Sequence, residues 1–173
     1  MRFIDAGSIV LEPQTVAHAA AMFVVLSDPA IYEYENEPPA SLEWLTARFA
    51  RLENRRSADG REQWLNWVVR LPCTVLAGYV QATVEPEGKA AIAYVFSSEY
   101  WGRGIARQAV AAMIAELALH HGVRHFVAVL KRDNFRSSRL LERLGFVRGT
   151  SAQYAAHDVE PDEWLMWYDC AHA

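Results

Sequence analysis

The residues best suited to chemistry are Trp101-Gly102-Arg103-Gly104-Ile105-Ala106, which follow an apolar segment and lead straight into a long helical pattern. A helix N-terminus leaves backbone N–H groups without intrahelical partners, and the helix dipole adds partial positive charge there. Glycine lets the backbone come close to a phosphate. The segment therefore suits a pyrophosphate. Glycine turns also open helices that bind nothing, so the turn alone supports either reading. Two nucleotide fingerprints are excluded. Arg107 stands where GxGxxG requires a small residue, a strand meander precedes the turn instead of a βαβ unit, and GxxxxGK[ST] does not occur.

Other chemistries find little support. Cys73 and Cys170 form no CxxC and no disulfide framework, so they read as free thiols. His120 and His121 are adjacent and point in different directions on a helix, which makes a poor metal pair. Followed by Gly122, they read as a helix C-terminus, and no metal is expected. The net charge of −4 argues against nucleic acid and is compatible with cationic amines. Glu33, Glu35 and Glu37, in the run YEYENEPP, could attract such an amine, and one of them could take its proton; an exposed acidic loop would look the same.

These residues need elements to position them. Ser8–Glu12 reads as a strand and Val16–Leu26 as a helix halted at Asp28-Pro29. Ser41 precedes a second helix carrying Leu42, Leu45, Phe49 and Leu52 at spacings of three and four. Gln63–Arg70, Thr74–Val84 and Ala91–Phe96 form a meander, with a turn at Glu85–Lys89. Then come a helix at Arg103–His121, a strand at His125–Leu130, a helix at Ser137–Leu144 stopped by Gly145, and strands at Phe146–Tyr154 and Glu163–Asp169. That order describes a mixed α/β sheet. The 173 residues, 52% hydrophobic and 22% charged, fit a single domain over 1–173. With neither a bilayer-spanning apolar run nor a secretory leader, the expected compartment is the cytoplasm, with no membrane partner.

The second motif is Asp133-Asn134-Phe135-Arg136-Ser137-Ser138-Arg139-Leu140-Leu141-Glu142-Arg143-Leu144-Gly145-Phe146. A GxG(I/Y)A turn opening a helix, then a strand, then NxxSxRLLExLGF resembles the GNAT superfamily of N-acetyltransferases. The likeness is greatest to the branch of ribosomal-protein N-terminal acetyltransferases. The motifs cover Ala90–Phe146, and the element order extends the likeness to nearly the whole chain. The resemblance implies a mostly antiparallel central sheet of about six to seven strands flanked by about four helices. It implies acetyl-CoA as co-substrate, held where the strand matching Ala91–Phe96 splays from that matching His125–Leu130. Backbone groups near Val95, Phe96 and Ser97 would hold the pantetheine arm, joined by Asn134. The turn Gly102, Arg103, Gly104, Ile105 and Ala106 would take the pyrophosphate, with Arg103 and Arg107 adding charge. Ser137 would lie near the sulfur, and the branch is often dimeric.

Amide formation from a thioester needs a neutral amine, a stabilised oxyanion and a protonated leaving thiolate. An α-amine, with a pKa near ~8, gives up its proton more easily than a lysine near ~10.4. A backbone N–H near Val95 or Phe96 is a natural oxyanion donor, and Ser137 a candidate donor to the sulfur. Many relatives carry a glutamate in a strand pattern E-I-G-Y. Here the stretch is Ala91-Ile92-Ala93-Tyr94, so that base is missing and Glu35 is the candidate in its place. Trp64, Trp67, Tyr32, Tyr34, Tyr94 and Trp164 could line the acceptor groove or pack in the core. The acceptor would be a protein or peptide N-terminus or a small amine. A non-catalytic acyl-CoA-binding module is the alternative, supported by the missing glutamate alone.

Overall fold

The structure, a computed structural model, describes residues 1–34 and 37–170. The strands are β1 (Ile4–Asp5), β2 (Val10–Pro13), β3 (Gln63–Arg70), β4 (Leu76–Val84), β5 (Lys89–Phe96), β6 (His125–Lys131), β7 (Val147–Arg148) and β8 (Glu163–Asp169). The helices are α1 (Ala19–Val25), α2 (Leu42–Leu52), α3 (Ile105–His121), α4 (Phe135–Arg143) and α5 (Ser151–Ala155). The strands form one mixed sheet in the order β1-β2-β3-β4-β5-β6-β8-β7, antiparallel throughout except for β5 and β6.

The alternation of side chains along the strands builds a core on each face of the sheet. On one face Leu65, Trp67, Val80, Ile92, Phe96 and Phe126 pack with Ala109, Val110, Met113 and Leu117 of α3 and Leu141 of α4. On the other, Val68 and Leu76 pack with Met22 of α1 and Leu45 and Phe49 of α2. Trp64 and Trp67 face opposite sides, as their spacing requires. Trp67 is fully buried and gives its indole N–H to Arg2 O, while Trp64 is half-buried and gives its own to Glu62.

Helix ends follow local chemistry. Ser41 caps α2 by accepting the Trp44 N–H. Gly122, in the left-handed region, ends α3 after His120 and His121. α4 begins two residues earlier than the sequence pattern suggests, because Asn134 is its cap and accepts the Ser137 N–H at 3.1 Å. Ser137 is thus the third residue of the helix. The segment expected to be a strand over Phe146–Tyr154 divides into the two-residue β7 and the helix α5. Thr150 and Gln153 form a reciprocal capping box that starts α5.

Candidate active site

β5 and β6 pair only over Lys89–Ala91 and His125–Val127. Beyond Ala91 the strands part, and β5 runs on to Phe96 paired with β4 alone. The gap holds a cavity of about 540 Å³. Its walls are Tyr94, Val95 and Phe96 of β5, then Tyr100, Trp101, Gly102 and Gly104 of the turn, with Ala106 and Arg107 of α3. Asn134, Ser137 and Leu140 close it from α4, and Ala30, Ile31 and Tyr34 from the segment after α1.

Ser97 N–H bonds Ala77 O across β4 at 3.0 Å. Antiparallel alternation then turns the Val95 N–H and C=O toward β4, and those of Tyr94 and Phe96 toward the gap. Trp101 confirms the direction at Phe96: its indole N–H donates to Phe96 O at 2.9 Å, pinning the turn to the strand end. Tyr94 N–H and Phe96 N–H are the backbone donors this geometry leaves facing the cavity, Phe96 being the one nearer the glycine turn.

Gly78 makes that strand end possible. A Cβ there would lie 2.1 Å from Val95 O and 2.8 Å from the Phe96 Cα. We expect Gly78→Ala to cost about 1–3 kcal/mol by overpacking. Thermal melts should show a Tm roughly 3–10 °C lower for a chain of this size; an unchanged Tm would mean that β4 and β5 are not held this close.

Gly102 and Gly104 both have positive φ, +74° and +78°, and an added Cβ at either would meet no protein atom within 4 Å. Both therefore face open space, with α3 starting immediately behind. Arg103 does not line the cavity; its guanidinium lies over the Tyr100 ring, 5.7 Å from the centroid. Ile105 packs against the core. Ser97 lies just outside the cavity wall, with its hydroxyl accepting the Glu99 N–H. Glu35 lies outside the described residues.

The charge around the cavity exceeds what the motifs suggest. Arg136, Arg139 and Arg143 of α4 line it together with Arg107. Their spacing of three and four on one helix was a readable signal for a basic face. Arg136 spans the cavity mouth. It stacks on Trp101, 4.0 Å from the ring centroid, lies 5.9 Å from that of Tyr34, and pairs with Glu33 at 2.5 Å. Glu33 is therefore engaged by an arginine. Glu37 and the Ala91 methyl are exposed and are not among the lining residues.

Ser137 and Tyr94 meet inside the cavity. The Tyr94 hydroxyl donates to Ser137 O at 3.4 Å. Burial pushes the Tyr94 phenol up to about 12, against a smaller opposing effect of a hydrogen bond with Ser137. The remaining aromatics divide: Tyr32 donates to Leu26 O, while Trp164 is covered by Arg132 and Arg148 away from the cavity.

Asp28 ties the two sides of the site together. It accepts the Ser98 N–H at 2.7 Å and the Ala30 N–H at 3.0 Å. Hydrogen bonding from Ser98 holds its carboxyl below the ordinary 3.8. A carboxylate with a lowered folded pKa contributes stability above its unfolded value and loses it as the pH falls through the folded one. Asp28→Ala should thus lower Tm at neutral pH by roughly 2–4 °C, a cap's worth. The difference from wild type should close in acid below about pH 4; a gap that persists there would assign the effect to packing.

The profile of the acetyltransferase (GNAT) domain matches residues 8–147. The chain belongs to the GNAT acetyltransferase family. No curated protein sequence matches this GNAT chain. Solved structures share its fold. The ribosomal-protein-S5-alanine acetyltransferase from Vibrio fischeri superposes with a TM-score of 0.81 at 17% identity, covering 98% of this chain and 97% of that one. RimL, the ribosomal L7/L12 alpha-N-protein acetyltransferase in complex with coenzyme A, gives 0.81 at 18% identity, covering 97% and 98%. The microcin C7 self-immunity acetyltransferase MccE in complex with acetyl-CoA and AMP gives 0.78 at 16% identity, covering 94% and 92%.

Proposed function

We propose that residues 1–173 form one domain that transfers an acetyl group from acetyl-CoA to a primary amine by direct attack within a ternary complex. The observation that carries this reading is the cavity between the splayed β5 and β6. It runs from a glycine-rich helix start with four arginines to the Ser137–Tyr94 contact.

In this reading the unpaired N–H groups at the start of α3 seat the pyrophosphate, aided by Arg107. Asn134 keeps its side-chain oxygen on the α4 cap and has its amide N–H groups available to the pantetheine arm. The thioester lies between Phe96 N–H and Ser137. The amine lone pair attacks the carbonyl carbon and the carbonyl π pair moves to oxygen. Phe96 N–H, already aimed at the gap, stabilises that charge without reorganising. The tetrahedral adduct loses the amine proton to the base and expels the thiolate, which takes a proton from the Ser137 hydroxyl as solvent returns one to the serine, leaving amide, free thiol and an unchanged Ser137.

The proton acceptor proposed from the sequence is Glu35, one position along the chain from Tyr34, or a bound water in its place. A base of this kind accelerates the step by about 10²–10⁴-fold. Ala91 offers only a methyl group, and Glu33 is held by Arg136. An α-amine, the easier group to deprotonate, fits a cavity whose lining carries no carboxylate among the described residues. Two structural relatives are named for acetylation of ribosomal proteins, which supports a protein N-terminus as acceptor. The relative named for microcin C7 immunity keeps small amines in the screen.

Thiol release from acetyl-CoA, measured with peptides bearing free N-termini and with small amines, tests the proposal. Amine-dependent release is expected. Tight acetyl-CoA binding without release from any amine would leave the non-catalytic acyl-CoA module as the better reading.

A further inference from the structure

We infer that Tyr94 is the back wall of the acyl pocket and restricts the enzyme to short acyl groups. This inference rests on the proposed placement of the thioester between β5 and Ser137. Its basis is where the ring stands. Tyr94 lies three residues beyond Ala91, the last β5 position paired to β6, where the strands have parted. On β5 it shares a face with Ala90, Ile92 and Phe96, all buried in the core beneath α3, and it packs against that core while also lining the cavity. The ring thus crosses from β5 to α4, where its hydroxyl meets Ser137 O at 3.4 Å.

The opposite face of β5 is different. Ala91 and Ala93 are exposed and present only methyl groups, leaving that side open to an incoming amine. An acyl chain attached at a sulfur near Ser137 and lengthened toward the core meets the tyrosine ring. The ring is held at both ends, by its strand and by its hydroxyl. Burial keeps the phenol protonated up to about 12, so the hydroxyl remains a donor throughout the neutral range.

Each methylene beyond a pocket's limit changes selectivity by about 10–200-fold. The test uses the full chain and two unreactive thioethers, S-ethyl-CoA and S-butyl-CoA, with Kd measured by calorimetry. Wild type should bind the ethyl compound at least about tenfold more tightly than the butyl. Tyr94→Phe, which keeps the ring, should preserve that ratio. Tyr94→Ala should bring it within about threefold of unity.

Tyr94→Leu provides the same comparison if circular dichroism shows the alanine variant unfolded. An unchanged ratio in a folded variant without the ring overturns the inference, as does a wild type that binds both compounds equally. Thiol release with acetyl-CoA and butyryl-CoA is measured alongside. Absence of release from any amine counts against the proposed function while the binding ratio still decides the role of Tyr94.

Discussion

Ser137→Ala lowers kcat on the order of 10²-fold while the Kd for acetyl-CoA moves less than about threefold. The start of α4 makes the effect this selective. A serine near a helix N-terminus often caps it, and its loss would then loosen the helix. Here Asn134 performs the capping and Ser137 contributes only its backbone N–H, which alanine retains. The substitution therefore removes the hydroxyl from the cavity, with its contact to the Tyr94 phenol, and leaves the helix cap intact. Steady-state kinetics alongside calorimetric binding make the measurement, and an unchanged kcat would remove Ser137 from the mechanism.

Gly104→Val has the opposite signature, raising the Kd for CoA by at least about 100-fold. Gly104 sits at φ +78° and caps α3 without a side chain. A β-branched residue is strained in that region by about 1–2 kcal/mol, so the turn shifts. The new Cβ enters space with no protein atom within 4 Å, which is where the proposal puts the pyrophosphate. Strain alone predicts a Tm only roughly 2–8 °C lower for a domain this long. Melting and binding together separate the two effects. A variant that binds CoA as wild type does would displace the phosphate seat from this turn.

Much of this architecture was legible in the sequence because it depends on local periodicity and local turn chemistry. The apolar meander, the long helix behind Gly104 and the short helix before Gly145 are all written in consecutive residues. Where the reading failed, the cause differs. The Thr150–Gln153 capping box is a local signal, and it was overridden by the β-like run beginning at Phe146. Gly78, Asp28 and the Arg136–Glu33 pair gain their meaning from approaches between distant segments, and spacing along the chain carries no trace of them. The acidic run was visible, yet its composition could not show that an arginine engages Glu33.

The short β5–β6 contact also has a mechanical consequence. Three paired positions join a half-sheet of β1 to β5 to a half-sheet of β6, β8 and β7. The molecule is in this sense two plates meeting at a narrow seam, with α3 as the strut behind it. Load across the sheet concentrates at Lys89–Ala91, while the β5 amides beyond it that face the gap, at Tyr94 and Phe96, should exchange sooner than those of the seam. A pantetheine arm lying in the open part of the seam would bond β5 of one plate and Asn134, just beyond the end of β6 in the other. It would stiffen the joint, and its arrival would be recorded in exchange rates on β6 and β8, far from any atom that reacts.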